Sequence, residues 1–300
     1  MISRRGALAS LAAVSLGQAQ AQAPPAKLFE RDTPLDPDFY CPMDKDIRSK
    51  DVGKCPRCGM KLIPSIADPL EYPVELHVSP KPPKAGQVTK LRFRILDPKK
   101  DTLVQKFELM HERLFHLFVI SEDLSYFVHE HPEQLSNGEF LLELPLPYGG
   151  AHRVLTDFFP IGGTPQMNAQ TLYVAGPRNA AATPLAADLN PQEGENLRAR
   201  MWTEPAQPLA GFKTLMFFEL EGRTEPLRLD PYLGAWGHML AGSWDLVDMV
   251  HTHPFIGDGG PKMQFNLIFP RAGLYKVWVQ FQNRGTVNTV AFTIPVKVLG

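Results

Sequence analysis

Apolar and polar residues alternate in short runs along most of the chain. Glu71–Val78, Lys90–Leu96, Glu139–Leu146 and Leu274–Phe281 are such runs, and clusters of Pro, Gly, Asp and Asn separate them. A period of two predicts half-buried β-strands, and the clusters between them predict tight turns. The 29 prolines and 23 glycines of the 300-residue chain suit many short strands better than long helices. No segment after residue 23 carries a convincing helical pattern. Short strands at this spacing predict a mainly β protein built from β-sandwiches, immunoglobulin-like or cupredoxin-like.

The strands fall into two copies. Residues 116–132 and 238–254 both follow H-x6-D-L-x3-V-H-x-H-P, 122 residues apart. His116, Asp123, His129 and His131 therefore correspond to His238, Asp245, His251 and His253. The likeness extends outward: Ala85-Gly86 parallels Ala210-Gly211, and Pro147 to Gly150 parallels Pro270 to Gly273. A self-similar period of this size implies two tandem units of one fold. The expected organisation is a signal peptide (1–21), a linker (22–39), a cysteine-rich module (40–66), one sandwich repeat (70–176), a second linker (177–196) and a second repeat (197–300).

Residues two apart on a strand project to one side, so His129/His131 and His251/His253 form imidazole pairs, with His116 and His238 opening the preceding strands. Neutral imidazole suits Cu(II) and Zn(II), which makes these six histidines candidate ligands. The alternative is structural, with rings capping a sandwich corner. Copy two is the weaker candidate, because Trp244 and Val247 replace the polar Glu122 and Ser125. Asp123 and Asp245 sit where the chain reverses and are read as turn formers rather than ring-orienting acceptors. His111 has no partner in copy two, where Leu233 stands, and either completes the first site or is exposed. His77 and His152, the latter aligned with Tyr275, are expected at the surface. Met110, Met239, Met249 and Met263 are read as core.

Cysteine adds a different chemistry. All three, Cys41, Cys55 and Cys58, lie within eighteen residues. An odd, tight cluster containing C-x2-C favours thiolate ligation over a disulfide, Cys55–Cys58 or Cys41–Cys55, with a spare thiol. Gly59 supplies the permissive backbone for a ligand turn, and Met43 and Met60 place soft thioethers nearby. The run Cys41-Pro42-Met43, then Gly53-Lys54-Cys55-Pro56, Cys58-Gly59-Met60, Leu62 and Pro64 resembles the small heavy-metal-binding domain of copper and silver efflux adaptors and some metal-pumping ATPases. That resemblance implies binding of a heavy metal by Cys41, Cys55 and Cys58; the soft donors point to Cu(I) or zinc, and Met43, Met60 and Asp44 are subsidiary candidates. It also implies a metal-efflux pump or adaptor as partner. Asp44 departs from the family, which has histidine after C-P-M. The site here is then three thiolates with a carboxylate or three thiolates alone, and the trigonal form suits Cu(I).

Charge and leader narrow the setting. With 31 Lys+Arg against 32 Asp+Glu the net charge is −1, which gives no footprint for nucleic acid. Arg4-Arg5, the apolar stretch Gly6–Leu16 and Ala19-Gln20-Ala21 make a secretory signal with cleavage expected after Ala21. Ser3-Arg4-Arg5 also fits a twin-arginine signal. The mature protein is expected in the periplasm or medium, without a membrane span.

Complete hydrolase motifs are missing. Only 47 residues and no histidine follow His253, which excludes an amidohydrolase barrel, and the spacing after H-x-H-P does not fit a zinc isopeptidase. Phosphate loops and G-x-S-x-G are absent. No cysteine follows Cys58, so a blue-copper centre within a sandwich is excluded. The expected role is therefore a non-enzymatic one, an exported heavy-metal, mainly copper, binding protein for capture, buffering or delivery. A cell-envelope interaction protein with structural zinc is the alternative, and a copper redox enzyme ranks third.

Overall fold

The structure, a computed structural model, describes residues 39–44, 47–49, 51–64 and 71–300. The expected signal peptide and all but the last residue of the first linker lie outside the described residues. Among the described residues there is no helix, and none long and apolar enough to cross a membrane.

The cysteine-rich module holds three two-residue strands, β1 (Phe39–Tyr40), β2 (Arg48–Ser49) and β3 (Ile63–Pro64), in the order β2-β1-β3. The first repeat follows with β4 (Val74–Ser79), β5 (Val88–Ile95), β6 (Phe115–Ser121), β7 (Phe127–Glu130), β8 (Glu133–Gln134), β9 (Phe140–Pro145), β10 (Gly150–Phe158) and β11 (Gln166–Val174). Its two sheets run β4-β5-β9-β8 and β11-β10-β6-β7. The second repeat contains β12 (Gln192–Glu193), β13 (Leu197–Glu204), β14 (Lys213–Gly222), β15 (Leu229–Asp230), β16 (His238–Ser243), β17 (Met249–Thr252), β18 (Pro254–Ile256), β19 (Lys262–Ile268), β20 (Gly273–Asn283) and β21 (Thr286–Val296). It repeats the same orders: β13-β14-β19-β18 in one sheet and β20-β16-β17, with β21 on the far side of β20, in the other. Neighbouring strands in these sheets pair antiparallel.

Each sandwich has its own core. Leu91, Phe93 and Ile95 of β5 alternate with exposed or half-buried positions and pack against Leu117 and Val119 of β6 and Val154 and Phe158 of β10. Met216, Phe218, Met239, Ala241, Val277 and Phe281 serve the second copy. β6 and β16, by contrast, are buried along their whole length. Their inner faces fill the sandwiches. Their outer faces meet in a third core of Phe118, Ile120 and Leu155 from copy one with Leu240, Leu246 and Trp278 from copy two. Truncating Phe118 or Trp278 to alanine costs about 3–5 kcal/mol on that account. This contact binds the repeats face to face and sets the polar residues at its edge opposite one another.

Cross-strand register defines that polar edge. His116 lies opposite Asp157, and Phe118 opposite both Leu155 and His129. In copy two His238 lies opposite Gln280, and Leu240 opposite Trp278 and His251. Directly paired residues share a face. Four histidines, Asp157 and Gln280 therefore line the seam between the copies.

Candidate metal centres

The module closes around its sulfurs. Gly59 takes φ +74°, its N–H donates to the Cys55 carbonyl at 2.9 Å, and Cys55 N–H donates to the Met60 carbonyl at 2.7 Å. The Asp44 N–H points at Cys41 Sγ (3.2 Å) and the Cys58 N–H at Cys55 Sγ (3.5 Å), so each ligand loop turns its amides toward sulfur. All three cysteines are free. Cys41 Sγ lies 3.4 Å from Cys58 Sγ, and Asp44 Oδ2 lies 3.3 Å from Cys55 Sγ and 3.8 Å from Cys41 Sγ. A cation with sulfur ligands at about 2.3 Å in tetrahedral array separates them by about 3.8 Å. The four donors, all within 4.8 Å of one another, fit such an ion with little movement. Asp44 thus stands at the fourth corner. Its other oxygen accepts from Arg57 at 3.1 Å, and the Arg57 guanidinium lies 3.9 Å over the Phe255 ring.

Without an ion the thiols share protons unequally. The Cys58 S–H hydrogen-bonds to Cys41 and, against the cost of burial, lowers the Cys41 thiol to about 6. The same bond raises Cys58, and burial raises Cys55. A thiolate at Cys41 is a ready first ligand.

Met60 and Ile63 bury against Met110 and Phe159 of the first repeat. Met43 reaches the second repeat, its Sδ 2.9 Å from His253 Nδ1. Met60 therefore fills a core, whereas Met43 joins the sulfur site to a histidine. A cavity of about 410 Å³ opens at this junction, lined among others by Met43, Asp44, Cys58, His111 and His253.

The histidines form two groups. His116 Nδ1 lies 3.1 Å from His129 Nε2 and 3.2 Å from His131 Nε2. His116 Nε2–H donates to the Met110 carbonyl at 2.9 Å, which leaves Nδ1 with its lone pair. His129 Nδ1–H donates to Gln280 Oε1 at 2.7 Å, and the Gln280 amide is oriented by its own bond to Thr289. His129 Nε2 therefore also carries a lone pair, aimed at that of His116. Acceptors behind the rings fix their tautomers in this way at metal sites. Nitrogens bound at 2.0–2.1 Å in tetrahedral array stand about 3.3 Å apart, close to the two spacings seen.

The second group is His238, His253 and, from the first repeat, His111. His238 Nε2–H donates to the Tyr232 carbonyl at 2.8 Å, the counterpart of the Met110 bond, and its Nδ1 lies 2.8 Å from His253 Nε2. The His111 ring stacks on His253 with centroids 3.6 Å apart. His251 stands apart from this triad: its Nδ1 is 2.8 Å from Asp157 Oδ2, and its Nε2 is buried without a partner. Burial first, and then electrostatic repulsion from neighbouring rings, pushes His116 down to about 4 and His111 and His131 to about 3. His129, His238 and His253 are pushed well below the ordinary imidazole value by the same causes. Burial alone would raise Asp157, but the His251 bond and the surrounding rings hold it below its ordinary value.

Several expectations are revised by this geometry. His111 neither completes the first triad nor stands exposed; it crosses to the second. It does so from a turn, Met110–Arg113, in which His111 (φ 46°) and Glu112 (φ 64°) are both left-handed, as are Leu233 (φ 50°) and Gly234 (φ 71°) in the matching turn of copy two. His251 does not share the donor cluster of His238 and His253. Trp244 and Val247, 57% and 62% exposed in the turn after β16, do not set the character of copy two's histidines. His152 is fully buried, in register with Ser121, rather than at the surface. His77 is exposed. Asp123 bonds Ser121 and Ser125 within its turn, and Asp245 bonds Ser243, Val247 and Arg271, which are turn-holding contacts. Met110, Met239 and Met263 are buried and Met249 half-buried against the shared core. Sequence reasoning missed Asp157 and Gln280, which sit at equivalent strand positions and each serve a histidine of the other copy.

Comparison with known proteins matches residues 39–65 to the heavy metal binding domain family. No curated protein matches the chain. Among solved structures, the adhesin InvE of Yersinia pseudotuberculosis overlaps 75% of this chain and 60% of its own at 9% identity and TM-score 0.25. The Escherichia coli adhesin FdeC overlaps 79% and 70% at 12% identity and TM-score 0.27. An ice-binding, Ca2+-stabilized adhesin of an Antarctic bacterium overlaps 77% and 50% at 6% identity and TM-score 0.26. The chain thus spans 60%, 70% and 50% of those structures, and overlaps this loose carry no functional weight. The family described as a domain of unknown function, DUF8832, matches residues 67–176 and again 198–298, one match per sandwich, so the chain is a member of that family with a heavy metal binding domain ahead of its first copy.

Proposed function

We propose that the protein captures a soft heavy-metal ion, copper as Cu(I), outside the cytoplasm, and buffers it or delivers it to a metal-efflux partner. One observation carries this reading. Three free thiols and the Asp44 carboxylate converge within 4.8 Å, and the group is closed on one side and open on the other. Cys41 and Cys55 are buried, whereas Cys58, Met43 and Asp44 line the cavity. A structural zinc site is enclosed by its ligands, while an ion to be taken up and released needs such an open side. The soft donor set supports Cu(I), with zinc as the competing occupant. The role is binding rather than turnover.

Metal analysis of the chain, isolated without oxygen from the extracytoplasmic fraction of cells, tests this reading. It predicts about one Cu(I) ion per chain at the cysteines, released by a Cu(I) chelator. Zinc held tightly at the three cysteines that Cu(I) does not displace, or cysteines that hold no metal with two sulfurs bonded to each other, contradicts it.

A further inference from the structure

Seven histidines gather at the seam between the repeats, and their hydrogen bonds do not close. The His116 and His129 lone pairs face each other at 3.1 Å with no proton between them, because Met110 and Gln280 hold the protons on the far sides; His131 Nε2, 3.2 Å from His116 Nδ1, can offer a proton to His116 but leaves the His129 lone pair unmet. In the second triad His253 touches two acceptors, His238 Nδ1 at 2.8 Å and Met43 Sδ at 2.9 Å. A neutral imidazole carries one N–H, so one of these two contacts is also lone pair against lone pair. Two further nitrogens, His111 Nε2 and His251 Nε2, are buried with no partner at all. A histidine cluster that served packing alone would satisfy these atoms, since an unpaired buried polar group is costly.

The two triads adjoin. Ring centroids of His116 and His238 lie 6.4 Å apart, and those of His129 and His238 5.9 Å. His251 stands among them, 4.7 Å from His253, 5.9 Å from His116, and 6.1 Å from His129 and His238. Its side chain is only 2% exposed. The seam is built reciprocally: copy one's His129 bonds copy two's Gln280, and copy two's His251 bonds copy one's Asp157. Asp157 places a buried carboxylate beside the rings, a charge that cations would offset.

We propose that this seam is a binuclear cation centre for two imidazole-preferring divalent ions of the Cu(II)/Zn(II) class. His116, His129 and His131 hold one ion. His111, His238 and His253 hold the other, with His251 Nε2 turning in as its fourth donor in place of any proton it carries, the role His129 fills in copy one. Neither repeat can form the pair alone, because His111 crosses between copies and each copy supplies an acceptor that orients a histidine of its neighbour. This extends the metal-binding reading above but stands on different side chains.

Cobalt(II) titration of the reduced full-length chain, followed by absorption and electron paramagnetic resonance, separates the two. Thiolate charge-transfer bands report the cysteine module, and ligand-field bands report the imidazole ions. The proposal predicts two imidazole-bound ions per chain, with magnetic coupling emerging as the second binds. His131→Ala and His253→Ala, each checked for a native thermal transition, should each leave one uncoupled ion. One imidazole-bound ion or none in the unaltered chain, or two with additive spectra, overturns the proposal, as does a folded His253→Ala chain that keeps the coupled pair. Absence of the thiolate band with the coupled pair intact contradicts only the proposed function.

Discussion

Gln280 belongs to the second repeat, yet it sets the tautomer of His129 in the first, and Gln280→Leu isolates that role. The substitution keeps much of the volume and removes the acceptor that His129 Nδ1–H meets at 2.7 Å in a site where both residues are at most 7% exposed. Two effects follow. The stranded N–H costs about 1–3 kcal/mol of stability. The ring is also freed to carry its proton on Nε2, the atom that faces His116, and loss of such an orienting partner weakens metal binding about 10–100-fold. Zn(II) competition against a chromophoric chelator measures the second effect, and thermal unfolding of the metal-free chain measures the first. Asp157→Leu provides a contrast, because Asp157 orients His251 and not His129. A folded Gln280→Leu chain that binds both seam ions as tightly as the unaltered protein would refute the assignment of Gln280 as an orienting group.

Other consequences concern the module and the fold. Asp44→Asn should weaken Zn(II) binding at the cysteines by at least about tenfold, since a full charge even as far as about 4 Å from an ion is worth on the order of 4 kcal/mol at an effective dielectric of about 20, part of which Arg57 at 3.1 Å already offsets; an unchanged dissociation constant would remove the carboxylate from the site. Glu112→Gly relaxes a left-handed backbone (φ 64°) at the position where copy two has Gly234, and calorimetry should show a stabilisation of about 1 kcal/mol. Burial lowers the His152 imidazole, so below its ordinary value near 6.5 the unfolded chain takes up a proton that the folded chain does not, and stability falls as pH drops. His152→Phe should therefore flatten the decline of the melting temperature between pH 7 and about pH 5, and an unaltered slope would contradict that sign.

The strands with one wet face were legible from alternation, as β5 shows, and the H-x-H-P repeat located the copies. β6 and β16 escaped that pattern because both of their faces are buried, one in a sandwich and one in the seam. The same burial hid Asp157 and Gln280. As a lone Asp and Gln on strands they carry no motif, and only the crossed pairing of two copies gives them meaning. His111 was misplaced because the expected site was confined to one repeat, and a strained turn carries it to the other. The sulfur cluster was legible down to its residues, since C-x2-C and a nearby C-P-M are local spacings. The approach of Met43 to His253 was not, because those residues are 210 positions apart.

The most direct test of a soft-metal site is an anaerobic Cu(I) titration of the full-length chain beside its Cys41→Ser/Cys55→Ser/Cys58→Ser form. The account predicts one tightly bound Cu(I) in the first that is lost in the second, while the ions of the histidine seam persist. Equal Cu(I) binding by both chains, or no binding by the reduced unaltered chain, would contradict it.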